Sequence, residues 1–254
     1  MGSVRFDCSP LAYVDPNVDT VQALLQLESF CNGDTSECST SRFTYNLDLS
    51  FEDVLRCPTS LCLRIPAGLS HVFPNAEPSQ NLGRQFSRLL LHVIDYVRGL
   101  AEVSQLPPKE QVLFCKRQHL FVSPFLLFAY TYRIGNPGMV AGLGQAFSAD
   151  SRALKKYEIG DFLERMINLG QNEVIPAFRD TQMDDGDYVL LKNILIFHSA
   201  HGLSEPSAAI VREARKKYEW MLSRRIRQKS KDDVEAIYKI AKLMGAVKKS
   251  CGEL

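Results

Sequence analysis

From Leu120 to Tyr130 the chain reads Leu-Phe-Val-Ser-Pro-Phe-Leu-Leu-Phe-Ala-Tyr, apolar on nearly every side of a helix. A helix apolar all round belongs in the middle of a protein, with other elements packed over it. The run is well short of the ~20 residues that a bilayer requires, so no membrane span is expected. Two stretches lead up to it. Leu82, Phe86, Leu89, Leu90, Val93, Ile94 and Val97 recur at spacings of three and four, which predicts a helix with a wide buried face ending near Arg98. A break follows at Ser104 to Pro107. Pro107-Pro108 then restarts a helix carrying Lys109 to Lys116, because proline is tolerated in a first helical turn. An amphipathic helix, a short polar helix and a central helix are therefore expected in succession.

The 254 residues suffice for one large domain or two small ones. A formal net charge of +1 gives no strong field to draw the chain to nucleic acid or to a membrane. The seven cysteines form no Cys-x-x-Cys pair, their number is odd and no signal peptide precedes them. Reduced thiols in an intracellular compartment are expected.

Taken in order, residues 1–16 lack periodicity and read as a flexible lead-in. Asn17 is placed to cap a helix through Phe30, with Val21, Leu24, Leu25 and Leu27 as its stripe. Residues 31–48 read as loop. Ser50-Phe51-Glu52-Asp53 is a capping-box pattern that starts a short helix ending by Pro58. Pro66, Pro74 and Pro78 make residues 64–80 irregular. The glycines from Gly135 to Gly144 rule out a long helix over 134–151. Tyr157 to Phe178 is predicted helical, with Pro176 stopping or kinking it. Asp184 or Asp185 starts the next helix, and Ser204-Glu205-Pro206 opens another that runs to about Gln228. The last spans about Asp232 to Lys249, acids first and lysines last, as the helix dipole prefers.

Chemistry-bearing patterns are scarce. Asp184-Asp185-Gly186-Asp187 fails as a calcium loop, since aligning Gly186 leaves Thr181 and Met183 on ligand positions and Lys192 at the end. A helix start with favourable acids explains it better. None of His71, His92, His119, His198 and His201 falls in a metal-binding pair, and structural or solvated roles suit them. No Gly-x-Ser-x-Gly elbow and no phosphate loop occurs. The basic run from Arg224 to Lys231 reads as a solvated helix end. No metal, cofactor or catalytic residue is expected.

The order and spacing of the first three helices resemble helices 3, 4 and 5 of a nuclear hormone receptor ligand-binding domain. His92-Val93-Ile94-Asp95-Tyr96-Val97-Arg98 stands where that family ends helix 3 on a basic residue. Glu110-Gln111-Val112-Leu113-Phe114-Cys115-Lys116, starting twelve positions after Arg98, stands where it has an acid-Gln pair, two leucines and a charge. Met183 to Ile194 resembles helix 8, and Ala241 to Lys248 the end of helix 10. The divergence elsewhere is similar to the nematode receptors of this family. The resemblance implies an all-α, three-layer antiparallel helical sandwich with a small β-hairpin, formed by residues 17–254 as one ligand-binding domain. It also implies that Asp187 pairs with an arginine of a later helix, Arg224 or Arg225.

Two sites follow from the resemblance. An apolar pocket for a lipophilic ligand, such as a fatty acid or a sterol, would be lined by Leu82, Phe86, Leu89 and Val93, by Phe125, Phe128, Ala129 and Arg133, and by Met166, Ile167 and Gly170. Arg133 would anchor a ligand carbonyl or carboxylate. The alternative is a solid core of the same residues. A groove for a coactivator or corepressor Leu-x-x-Leu-Leu helix would have Ile94, Val112 and Cys115 as its floor, Gln111 at its edge, and Arg98 and Lys116 as charges, Arg98 capping the bound helix. Otherwise Arg98 and Lys116 are ordinary solvated helix-end charges. The last two helices resemble the family's surface for homo- or heterodimers, and a nuclear location is implied. The family's clustered zinc cysteines are absent, so DNA would be reached only through a domain not in this chain. Leu254 precedes the place of the family's C-terminal activation helix, which is therefore not expected here. A filled orphan scaffold and an all-α lipid or prenyl enzyme are the rival readings, the latter lacking its acid cluster.

Overall fold

A computed structural model describes residues 19–33, 45–65, 78–135, 139–141, 145–147 and 159–252. Helix α1 spans Thr20–Asn32, α2 Phe51–Arg56, α3 Pro78–Arg98, α4 Ala101–Ser104 and α5 Pro108–Ile134. Helix α6 spans Gly160–Leu169, α7 Ile175–Thr181, α8 Asp185–Ile196, α9 Glu205–Lys229 and α10 Asp233–Gly252. Strands β1 (Met139–Ala141) and β2 (Gln145–Phe147) pair antiparallel, Met139 opposite Phe147. The helices form three layers. α1 and α3 make one outer layer, α5, α8 and α9 the middle, and α7 and α10 the other outer layer.

The apolar run organises this arrangement as its composition demands. Phe125, Leu126 and Phe128 are fully buried, and α5 meets α3 on one side and α7 and α8 on others. By length and composition α5 could cross a bilayer, but its apolar middle is covered by protein instead. Helix α8 is buried over almost all of its length and carries α1 on one face and α9 on another.

Several boundaries differ from the sequence reading. Asp19, not Asn17, caps α1, its carboxylate accepting from the Val21 N–H at 3.4 Å. The short polar helix and the central helix are one continuous α5, with Pro124 inside it. The carbonyl that Pro124 leaves without its helical donor belongs to Leu120, an exposed position. Between α6 and α7 the backbone takes a π turn over Gly170–Val174, directly before Pro176. The missing N–H and the ring clash at Pro176 perturb the turn before it, giving a bulge rather than a stop.

Other starts follow the local chemistry. Ser50 accepts from the Asp53 N–H at 3.1 Å and donates to the Asp53 carboxylate at 2.6 Å, so α2 begins on its cap. At α8, Asp184 caps the Asp187 N–H, and the Asp187 carboxylate accepts in return from the Asp184 N–H.

Candidate functional site

Apolar side chains from three helices belong to one buried core cluster. Leu89 and Val93 of α3, Phe125, Phe128 and Ala129 of α5, and Met166 and Ile167 of α6 are all buried, as is Gly170 at the start of the π turn. Phe125 stacks on Tyr188 at 6.0 Å between ring centres and meets Phe178 edge-on at 5.6 Å. The side chain of Leu82 lies outside the described residues.

Two of the expected pocket residues do not join this layer. Phe86 is 40% exposed, because at this level α3 turns Gln85, Ser87 and Arg88 inward. Arg88 is buried because its guanidinium donates to the backbone carbonyls of Ile65, Cys31 and Asn32. Arg133 is exposed at the end of α5, where it pairs with Asp185 at 2.7 Å and lies 4.1 Å over the Tyr188 ring. In this position it braces α5 against the start of α8.

The polar group that is buried here was not expected. Glu28 of α1 accepts from the Tyr188 hydroxyl at 2.9 Å and from the Lys192 ammonium, with His92 Nε2 at 3.4 Å. Burial alone would raise the Glu28 carboxyl. The Lys192 charge and then His92 override it and hold the group well below the usual carboxylate range. Burial pulls Lys192 down against the attraction of Glu28. Its contacts, a carboxylate and the Tyr96 ring face at 3.2 Å, are those of an ammonium, so the pair is ionic. Asn193 donates to the Tyr96 hydroxyl at 2.8 Å and extends the network to α3. A lysine and an asparagine set within the apolar run Tyr188 to Phe197 were the available signal.

The expected groove residues gather where the end of α3 meets the first turns of α5. Arg98 is half-buried and near enough to Cys115 to act on it electrostatically. Burial pushes the Cys115 thiol up to about 12, and the Arg98 charge opposes that. Gln111 donates to the Leu106 carbonyl at 2.8 Å, and Glu110 accepts from the Ser204 hydroxyl at 3.1 Å, tying α5 to the start of α9. Val112 is half-buried and Lys116 exposed. Ile94 and Cys115 are only 0% and 1% exposed, so the floor is covered rather than open. Helix α2 packs on this part of α5, with Phe51 5.6 Å from the Lys116 ammonium and 6.2 Å from the His119 ring.

Of the two arginines offered for Asp187, Arg225 makes the pair, at 3.1 Å, and it also reaches Asp184 at 2.8 Å. Lys229 joins both carboxylates. Gly186 permits this, since a Cβ there would stand 2.5 Å from the Arg225 guanidinium carbon. The Asp184 carboxyl, which burial would raise, is held well below its usual range by the Lys229 hydrogen bond, the Asp187 N–H and Arg225. Among the described residues no group of three or more His, Cys, Asp or Glu side chains could hold a metal ion.

The family model described as the ligand-binding domain of nuclear hormone receptor matches residues 79–254. The chain belongs to this family. It is 28% identical over 172 residues to nuclear hormone receptor family member nhr-4 of Caenorhabditis elegans, a match covering 68% of this chain and 34% of that protein. The chain thus spans about a third of the length of that curated relative. Among solved structures, the Ultraspiracle ligand binding domain from Drosophila melanogaster superposes with a TM-score of 0.59 at 13% identity, covering 92% of this chain and 87% of that one. At that identity the likeness establishes the three-layer helical fold. By the family match, residues 79–254 are a ligand-binding domain of the nuclear hormone receptor type.

Proposed function

We propose that this domain takes up a small lipophilic ligand and, in response, binds a coregulator helix at the α3–α5 junction, within a nuclear transcription factor. What supports the reading is that α3, which ends on the half-buried Arg98, packs on α5, whose first turns carry the half-buried Val112, the buried Cys115 and the exposed Lys116. An apolar interior beside a surface that reads a partner lets ligand affinity bias the partner-binding conformation. The residues of this layer are apolar, which suits the hydrocarbon part of a fatty acid or a sterol.

The aromatic interlock of Phe125, Phe178 and Tyr188 favours a second reading, an orphan scaffold whose interior is filled by its own side chains. Both readings keep dimerisation through the last two helices. Trp220 of α9 and Val234, Ile237 and Tyr238 of α10 are large, apolar and more than half exposed, as an unpaired interface would be.

The groove is tested by titrating a fluorescent Leu-x-x-Leu-Leu peptide against the purified domain and its Arg98→Glu variant. The reading expects saturable binding that the charge reversal weakens about ten-fold or more. Binding that survives Arg98→Glu unchanged would place the peptide elsewhere.

A further inference from the structure

Ile94 and Cys115 of the groove floor are buried, and this chain's own α2 packs on α5 beside them in sequence, at Lys116 and His119. Its sequence is Phe51-Glu52-Asp53-Val54-Leu55-Arg56. Phe51, Val54 and Leu55 stand at i, i+3 and i+4, the spacing that puts three apolar side chains on one face of a helix. Leu-x-x-Leu-Leu has the same spacing. Val54 and Leu55 are each 3% exposed and belong to the core cluster, and Phe51 packs against it. Phe51 presents its ring to the Lys116 ammonium. Lys116 and Cys115 are residues that the proposed coregulator helix would meet.

We infer that α2 is an internal occupant of the coregulator groove, a short Phe-x-x-Val-Leu helix that an incoming Leu-x-x-Leu-Leu helix must displace. This rests on the groove reading proposed above. The segment is built as a detachable strap. Tyr45 pairs with Cys62 as an isolated bridge, and the Asn46 N–H donates to the Leu61 carbonyl at 2.9 Å, so residues 45–62 close on themselves around α2. The far side is fastened separately, where Arg64 forms a two-pronged pair with Asp95 of α3 at 2.6 and 3.0 Å. A six-residue helix is marginal in isolation and holds its form through its cap and the surface under it. Lifting α2 off α5 therefore leaves the bridge and the Arg64–Asp95 pair in place. Displacement lowers the affinity for the external helix by the fraction of time that the groove is free.

The test is anisotropy titration of a fluorescein-labelled Leu-x-x-Leu-Leu peptide against the full chain and its variants, each checked for folding by its thermal transition. Val54→Ser combined with Leu55→Ser removes the apolar face. Ser50→Ala removes only the cap, leaves the buried side chains untouched and stands in if the double variant does not fold. The inference expects about ten-fold tighter peptide binding for the double variant and a smaller gain, about two- to five-fold, for Ser50→Ala. Adding Arg98→Glu to either should abolish the gain. If the folded α2 variants bind no more tightly than the unmodified chain, while Arg98→Glu still weakens that chain, α2 is a structural element only and the groove reading stands. If no variant binds the peptide at all, the groove reading fails and the inference with it.

Discussion

Lys192 of α8 is buried against Glu28 of α1, a partner 164 positions earlier in the chain. The pair joins an outer layer of the domain to its middle layer, and His92, Tyr188 and Tyr96 enclose it. Removing one member of a buried ion pair strands the other charge in a low-dielectric interior, which costs about 3–5 kcal/mol. Glu28→Gln should therefore lower unfolding stability by about 3 kcal/mol in a denaturant titration. Glu28→Gln with Lys192→Met should recover a large part of that loss. A loss under about 1 kcal/mol in the single variant would show that the charges are solvated.

The buried His92 and the half-buried His119 and His198 set the sign of a pH dependence. Burial lowers the pKa of His92 against the pull of Glu28, and lowers those of His119 and His198 against backbone carbonyl contacts. The unfolded chain takes up these protons near pH 6.5, and the folded chain does so only at lower pH. Stability from these groups is thus complete above about pH 6.5 and falls as the pH drops below it. Denaturation midpoints at pH 7.5 and 5.5 should show the decline. His92→Phe, which keeps a ring parallel to Tyr96, should shrink the difference. An equal difference in both proteins would remove His92 from the account.

Arg225 clasps the start of α8 from α9, but it and Lys229 are each about one-third exposed, so solvent screens much of their attraction. Arg225→Ala should cost about 1 kcal/mol. Asp187→Ala should cost more, about 2 kcal/mol, because it removes both the ion pairs and half of the capping box. If the two variants lose equally, the cap adds nothing beyond the ion pair.

The apolar face of α10 predicts an assembly. Ile237→Asp, at a residue 60% exposed, should leave the thermal transition nearly unchanged and convert a dimer to a monomer in sedimentation velocity. A variant that sediments as the unmodified protein does would move the interface away from α10.

Local and periodic features of this fold were open to reading in the sequence. The three-and-four spacing through Leu89 and Val93 marked the buried face of α3, the all-apolar run marked the centre, and Ser50 and Asp53 marked the start of α2. What depends on tertiary context was not. Arg88 is buried only because carbonyls from two distant segments receive it, and Phe86 turns outward as a consequence. Lys109 to Lys116 and Leu120 to Tyr130 read as two successive helices, yet α5 runs through both without a break. Arg133 sits at the end of an apolar helix as a ligand anchor would, and only the nearby start of α8 shows its partner to be Asp185. Helix α2, which packs on α5 at Lys116 and His119, lies more than sixty positions earlier, a distance at which amphipathic pattern carries no pairing information.

Whether a ligand occupies the layer between α3, α5 and α6 decides between a ligand-regulated receptor domain and a filled scaffold. Native mass spectrometry of the purified domain, followed by denaturing extraction, addresses this most directly. The account predicts one lipophilic molecule for each chain, released on unfolding. An empty, monodisperse dimer that still binds the Leu-x-x-Leu-Leu peptide would contradict ligand control and establish the scaffold.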